Sequence, residues 1–189
     1  MNRAVFLDRD GVINRKPLEG EYVTRWEEME ILPGVASAIG LLNQADFRVI
    51  VVTNQRCIAK GLVTSAKVEA IHQRMCRALG EAGGRIDGVY YCPHEKQPPC
   101  TCRKPAPGML LLAAREHKID LTGSWMVGDS DIDVAAGRSA GCRTALLVRA
   151  NEKNAVNADV SSTSLLAALR TILQTDLLQH ATTRDISRI

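Results

Sequence analysis

The sequence lacks any long hydrophobic run, any block of like charge and any internal repeat or low-complexity segment. A membrane-spanning helix needs roughly 18 consecutive apolar residues, and none of the apolar segments approaches that length. No apolar leader precedes the strand-like segment that begins at residue 4, so we expect a cytoplasmic protein with no membrane partner. The net charge of +3 and the scattered basic residues argue against nucleic acid as a partner.

The residues that are present suit a single folded domain. The 189 residues are 46% hydrophobic and 24% charged, which is ordinary for a globular protein with one core. No apolar helix stands out as an interface, so we expect a monomer. There are six cysteines, but in a reducing compartment they do not predict a disulfide framework.

Short β-rich segments alternate with helical patterns, which predicts an α/β fold: a three-layer Rossmann-like parallel sheet with right-handed crossovers. We assign residues 1–176 to one domain and expect 177–189, which lack clear periodicity, to form a frayed tail. The predicted strands are 3–8, 47–53, 86–91, 125–127, 144–148 and a short edge strand at 158–160. The predicted helices are 33–45, a helix capped by Thr64 and ended by Gly83, 107–118, a helix from Asp129 to Ala140, and 164–174.

Polar side chains gather where the predicted strands end. They are Asp8 and Asp10 after the first strand, Thr53 and Asn54 at the end of the second, Arg103 and Lys104 after the third, and Asp129, Asp131 and Asp133 after the fourth. In parallel α/β sheets, ligands bind at this carboxyl edge. Acidic groups that meet there would repel one another without a cation, which predicts a site for a hard divalent ion, typically Mg²⁺.

These residues, in this order, resemble the four motifs of the haloacid dehalogenase superfamily of phosphohydrolases. The motifs are Asp8-Arg9-Asp10-Gly11, Thr53-Asn54, Lys104, and Gly128-Asp129 followed by Asp133. The resemblance implies that superfamily's fold and Mg²⁺-dependent phosphomonoester hydrolysis through an aspartyl-phosphate. It also implies a role for each residue. Asp8 is the nucleophile, Asp10 is the general acid and base, Thr53 is a phosphate ligand and Lys104 is the neutralising cation. The Mg²⁺ ligands are Asp8, Asp10 and Asp129, and Asp133 supports Lys104.

Three of the cysteines lie in one short segment together with a histidine. Cys92, His94, Cys100 and Cys102 supply three thiols and an imidazole, a donor set typical of closed structural zinc sites. The loop between them has no core of its own, and a metal could order it. We therefore predict a structural Zn²⁺ site in a loop at residues 92–102, directly before Lys104.

A longer set of segments is similar to the D-glycero-D-manno-heptose 1,7-bisphosphate 7-phosphatases, with histidinol-phosphate phosphatases as close relatives. The matching segments are 6–14, 51–55, 58–61, 90–94, 100–105 and 126–129. This resemblance implies removal of the 7-phosphate from a small sugar bisphosphate, on the way to the nucleotide-activated heptose of lipopolysaccharide and other glycans. No inserted cap domain is visible between the motifs, so loops must shape the pocket.

A bisphosphate substrate needs cationic contacts at the phosphate that does not react. Arg103 is the leading candidate, because zinc would fix its position and a guanidinium can hold phosphate through two hydrogen bonds. Lys60 and Arg56 are further candidates, and Asn54 is expected to contact the substrate. Arg56 and Cys57 replace a Ser-Gly pair that is common in the heptose enzymes.

Other interpretations stay open. The same chemistry could act on histidinol phosphate, on a nucleic-acid 3′-phosphate or on another small phosphomonoester. Acidic residues at strand ends also occur in phosphoacceptor regulatory domains, but such a domain needs neither Asp10 nor a zinc loop. A binding module without activity would be expected to have lost Asp8, Asp10 or Lys104. His72, inside a predicted helix, is expected at the surface.

Overall fold

The computed structural model describes residues 2–148 and 157–186, with side chains described as far as residue 176. It contains a six-stranded, fully parallel sheet in the order β3-β2-β1-β4-β5-β6. The strands are β1 (Arg3–Leu7), β2 (Phe47–Asn54), β3 (Gly88–Cys92), β4 (Trp125–Gly128), β5 (Arg143–Leu147) and β6 (Val160–Ser162). The α/β prediction is confirmed.

The described residues also contain five α-helices and one short 3₁₀ helix (Trp26–Glu28). The α-helices are α1 (Val35–Gln44), α2 (Ser65–Glu81), α3 (Gly108–His117), α4 (Asp131–Ala140) and α5 (Leu165–Ile186). Thr64 caps α2 as predicted, since its hydroxyl accepts a hydrogen bond from the Lys67 amide. Among the described residues, no helix combines the length and the apolar character needed to cross a bilayer.

The helices cover both faces of the sheet, because successive side chains of each strand point to opposite sides. On one face Val5, Leu7, Val49 and Val51 pack in a core with residues of α1, α2 and α5. On the other face Ala4, Phe6, Ile50 and Val52 pack with residues of α3 and α4. The central strands are therefore buried on both sides, which explains why they read as continuous apolar runs.

Two predicted segments differ from the observed ones near the C-terminus. The edge strand begins at Val160 rather than at residue 158. The Asp159 carboxylate accepts hydrogen bonds from the amide and hydroxyl of Thr144, so a side chain makes the first contacts to β5 in place of the backbone. The last helix continues to Ile186 rather than ending near residue 174. Leucine, alanine and glutamine recur in this stretch, and they favour a helix even without a clear apolar stripe.

The strand order places a crevice between β1 and β4. The chain passes from β1 outward to β2 and β3, then returns to place β4 on the other side of β1. At such a reversal the connections leave the sheet in opposite directions, and ligands bind at the carboxyl ends of the two strands. Asp8 follows β1 and Asp129 follows β4, and the Asp8 amide donates to the Val127 carbonyl at 2.9 Å.

Candidate active site

A buried lysine joins two of the predicted acidic residues. Lys104 Nζ lies 2.8 Å from Asp8 Oδ1 and 2.6 Å from Asp133 Oδ1, and it also donates to the Val52 carbonyl at 2.8 Å. Lys104 and Asp133 are 2% and 1% exposed, so water screens these charges little. A side chain at position 128 would overlap that of Asp133, which explains why glycine precedes Asp129.

Burial and charge act in opposite directions on this cluster. Burial raises the pKa of Asp8, with Asp133 and Asp10 adding to the effect, and the nearby Lys104 ammonium only partly opposes it. Burial alone would lower the pKa of Lys104, but the Asp133 and Asp8 carboxylates raise it above its ordinary value. Lys104 therefore stays charged beside a carboxyl group whose ionisation is costly without further positive charge.

The acidic residues supply a donor set that fits a hard divalent cation. Carboxylate oxygens of Asp8, Asp129 and Asp133 all lie within 4.8 Å of one another. Oxygen donors converging in this way are the ligands that Mg²⁺ takes in proteins. Lys16, from the loop after β1, reaches the same place and lies 2.8 Å from Asp129 Oδ2.

The carboxylate of Asp10 lies apart from that acidic group and is held by three amide or guanidinium donors. Arg9 donates through Nη2 to both oxygens at 2.8 and 2.9 Å and through Nε to Oδ1 at 3.1 Å. Asn14 donates at 2.9 Å and Gln55 at 3.4 Å. The same Gln55 amide donates to the Thr53 hydroxyl at 2.9 Å. Asp10 and Thr53 are thus linked at the ends of neighbouring strands.

Asn54 makes contacts that differ from its predicted role in substrate binding. Its side-chain amide donates to the Lys104 carbonyl, and its carbonyl oxygen accepts from the Lys104 amide, both at 3.1 Å. Both ends of the side chain therefore hold the backbone of Lys104.

The three predicted phosphate-binding cations lie on loops around the site. Arg56 forms an ion pair with Glu95, and the ammonium of Lys60 lies 5.3 Å from the ring centre of Tyr22. Arg103 donates to the His94 carbonyl at 3.2 Å and lines a cavity of about 440 Å³ together with Lys104. Arg103 therefore shares a cavity with the buried lysine.

The four predicted zinc ligands converge. The Sγ atoms of Cys92, Cys100 and Cys102 are 3.3 to 3.6 Å apart, and His94 Nδ1 lies 3.2 Å from Cys102 Sγ. A tetrahedron with the usual Zn–S length has edges of about 3.8 Å, so the set fits that ion. Burial alone would raise the pKa of Cys100, but the Arg103 amide, the neighbouring thiols and His94 lower it to about 6, which favours a thiolate.

For two residues near the site, the role or the burial was not predicted from the sequence. Arg9 lies between the two aspartates of the first motif, and it is 1% exposed. His72 was expected at the surface, but it is 4% exposed and lies 3.1 Å from Arg9 Nη1. Its position, four residues after Val68 and three before Met75, is on the apolar face of α2, and this spacing was the available signal.

Comparisons with known proteins agree with this arrangement. The family model for HAD-hydrolase-like proteins matches residues 101–169. The chain is 42% identical to a D-glycero-beta-D-manno-heptose-1,7-bisphosphate 7-phosphatase of Bordetella bronchiseptica, over 79% of this chain and 82% of that one. It is 38% identical to the Escherichia coli K12 protein of the same name, over 90% and 92%. The crystal structure of the B. bronchiseptica phosphatase with magnesium and phosphate superposes with a TM-score of 0.83 at 37% identity, over 92% and 99%.

Proposed function

We propose that this chain, which belongs to the D-glycero-beta-D-manno-heptose-1,7-bisphosphate 7-phosphatase family, hydrolyses the 7-phosphate of that sugar bisphosphate. It is then a phosphoric monoester hydrolase that acts in the formation of nucleotide-activated heptose, a precursor of lipopolysaccharide. The observation that carries the proposal is the contact of Lys104 with Asp8, in a site where Asp10 and Thr53 end neighbouring strands. The relatives' names support the heptose bisphosphate as substrate, with the beta anomer preferred.

The reaction needs a nucleophile and a proton carrier, and Asp8 and Asp10 supply them. An Asp8 oxygen attacks phosphorus, the bond from phosphorus to the sugar oxygen breaks, and Asp10 gives that oxygen a proton. Water then attacks the aspartyl-phosphate while Asp10 takes its proton. The bond between phosphorus and Asp8 breaks, inorganic phosphate leaves, and the Asp8 carboxylate is restored.

Positive charge and hydrogen-bond donors stabilise the transferring group. Lys104, fixed by Asp133 and by its contact with the Val52 carbonyl, offsets the charge on Asp8 and on the phosphoryl oxygens. Gln55 links Thr53 to Asp10, because its side-chain amide donates to the Thr53 hydroxyl. That hydroxyl can in turn donate to a phosphoryl oxygen. Asp8 and Asp129, with the Asp10 carbonyl, would hold Mg²⁺. When bound, it supplies the charge that keeps Asp8 ionised and neutralises the phosphate.

The unreacted phosphate of a bisphosphate needs a cation outside this centre. We assign this role first to Arg103, because it lines the cavity next to Lys104 and a guanidinium can bind phosphate through two donors. Arg56 and Lys60 come second, since Arg56 is paired with Glu95 and Lys60 lies over an aromatic ring. Asn54 contributes indirectly, because its side chain fixes the backbone of Lys104.

We also propose a structural Zn²⁺ bound by Cys92, His94, Cys100 and Cys102, with no ligand position left for catalysis. None of the six cysteines, all of which lie in the described residues, forms a disulfide, which fits a reducing compartment such as the cytoplasm. The substrate is a small sugar phosphate, and neither nucleic acid nor a membrane is required. The monomer and the division into residues 1–176 and a short tail remain our proposals.

The test is phosphate release with Mg²⁺ from both anomers of the heptose bisphosphate and from histidinol phosphate, measured side by side. We expect the beta anomer to give a kcat/KM at least tenfold above that of histidinol phosphate. If histidinol phosphate were preferred, the chemistry would stand, but the heptose substrate and the distal-phosphate role of Arg103 would be wrong.

A further inference from the structure

Arg9 is fully buried and uses three different nitrogens of its side chain on two partners. Its Nε and Nη2 donate to the Asp10 carboxylate, while Nη1 lies 3.1 Å from His72 Nε2. A guanidinium is planar and has a fixed set of donors, so contacts at both ends determine the orientation of the whole group. The partner on one side is Asp10, and the partner on the other is a histidine from α2.

His72 can only accept this hydrogen bond if its Nε2 carries no proton. Burial, with the positive charge of Arg9, lowers the pKa of His72 to about 3, so the ring is neutral at physiological pH. Arg9 cannot lose its proton in a protein and has no acceptor atom. The direction of the hydrogen bond is therefore fixed from Arg9 to His72.

We propose that His72 is a positioning residue for the general acid and base: by accepting from Arg9, it orients the guanidinium that holds the Asp10 carboxylate. This inference rests on the proposed function, because it assumes that Asp10 transfers protons. Asn14 and Gln55 also donate to Asp10, but among the described residues neither forms a hydrogen bond with the Nη1 end of Arg9. His72 itself touches neither substrate nor the reacting atoms.

The contact between His72 and Arg9 joins α2 to the catalytic strand end. The ring of His72 also packs against Tyr91 with centroids 5.7 Å apart, and the Tyr91 hydroxyl donates to Glu69, again on α2. The histidine ring is thus held by a contact with β3 in addition to its contact with Arg9. A shift of this ring would move the Arg9 guanidinium and, with it, the carboxylate that must meet the leaving oxygen and then the water.

The test compares His72→Gln with His72→Leu, alone and combined with Arg9→Lys. Glutamine keeps an acceptor for Arg9, whereas leucine removes it. We expect His72→Leu to lower kcat at least tenfold with KM and Mg²⁺ affinity within twofold of wild type, and His72→Gln to stay within threefold. In the Arg9→Lys background, His72→Leu should have little further effect on kcat, because it acts through Arg9.

Met75→Ala is the matched control, because Met75 is fully buried on the same helix and packs in the hydrophobic core. The Met75→Ala variant should have a lower unfolding temperature but should keep its kcat. The proposal is overturned if His72→Leu keeps its kcat, if His72→Gln is as impaired as His72→Leu, or if the two substitutions act additively. Should His72→Leu not fold, His72→Asn replaces it, since its shorter side chain cannot reach Arg9.

The proposed function can fail independently of this inference. If wild type does not hydrolyse the heptose bisphosphate, the proposed substrate is wrong. The same variants are then compared on the phosphomonoester that wild type does hydrolyse, and the pattern expected for His72 is unchanged.

Discussion

The ammonium of Lys104 lies 2.8 Å from Asp8 Oδ1, and both side chains are almost completely enclosed. Lys104 belongs to the segment that follows the cluster of three cysteines and His94, and Asp8 follows the first strand, so the two lie 96 positions apart along the chain. The sheet brings them together because both segments emerge at the carboxyl edge of the same parallel sheet, one after β1 and the other after β3, with β2 between them. The fold, rather than a local motif, therefore places the Asp8 carboxylate beside its counter-charge.

Asp8→Asn should abolish turnover and leave the fold intact. The amide cannot form the aspartyl-phosphate, so we expect kcat to fall by at least about 10⁴-fold. Since burial raises the pKa of Asp8, the folded protein already disfavours its charge, and a neutral amide should cost little stability. Phosphate release and thermal unfolding measure the two effects. Substantial activity in the variant would show that Asp8 is not the nucleophile.

Asn54→Ala should lower kcat more than it raises KM, because the side chain holds the Lys104 backbone through two hydrogen bonds. Loss of both should also cost about 1–3 kcal/mol of stability. Asn43→Ala is the matched control: Asn43 makes the same pair of hydrogen bonds to the backbone of Arg85, away from the site.

Steady-state kinetics and urea unfolding of both asparagine variants separate positioning from stability. Asn43→Ala should lose similar stability and keep its kcat. If instead Asn54→Ala raised KM with kcat unchanged, the substrate-binding role first predicted for Asn54 would be favoured.

Protein purified without chelators should contain about one zinc per chain. Cys102→Ser should lose the metal and most activity, because Arg103 and Lys104 directly follow the cluster. Cys76→Ser is the control, since Cys76 lies on α2 and outside the cluster. Elemental analysis measures the zinc content of wild type and of the two variants. A folded, active wild type without zinc would contradict the proposal.

His72 should make the protein sensitive to acid. Its pKa is about 3 in the folded protein and near 6.5 in the unfolded chain, so below pH 6.5 the unfolded chain binds a proton that the folded protein excludes. Stability is thus fully present above pH 6.5 and is lost as pH falls toward 3, by up to about 1.4 kcal/mol per pH unit.

Urea unfolding of wild type and His72→Gln at pH 7.5 and pH 5 measures this contribution. Glutamine does not titrate, so the stability difference between the two proteins should shift by about 2 kcal/mol in favour of the variant on acidification. Parallel pH profiles would mean that the pKa of His72 in the folded protein is close to its value in the unfolded chain.

The sequence predicted the sheet and the acidic residues because their signals are local. The apolar run of residues 4–7, followed by Asp8 and Asp10, already implies a buried strand with a polar end. Residues whose side chains hold the backbone of another segment, or contact another secondary-structure element, leave no such local signal in the sequence. The contact of Asn54 with Lys104 joins the end of β2 to the loop after β3, and burial of His72 depends on which face of α2 meets Arg9. The helical spacing of His72 places it on the apolar face of α2, but its side chain is polar and was therefore predicted to be exposed.

The most direct test of the central claim is to follow hydrolysis of the heptose 1,7-bisphosphate by ³¹P NMR with wild type, Mg²⁺ and the beta anomer. The account predicts that the resonance of the 7-phosphate disappears, inorganic phosphate appears in equal amount, and the 1-phosphate resonance remains. Loss of the 1-phosphate instead, or no phosphate release under conditions where histidinol phosphate is hydrolysed, would contradict it.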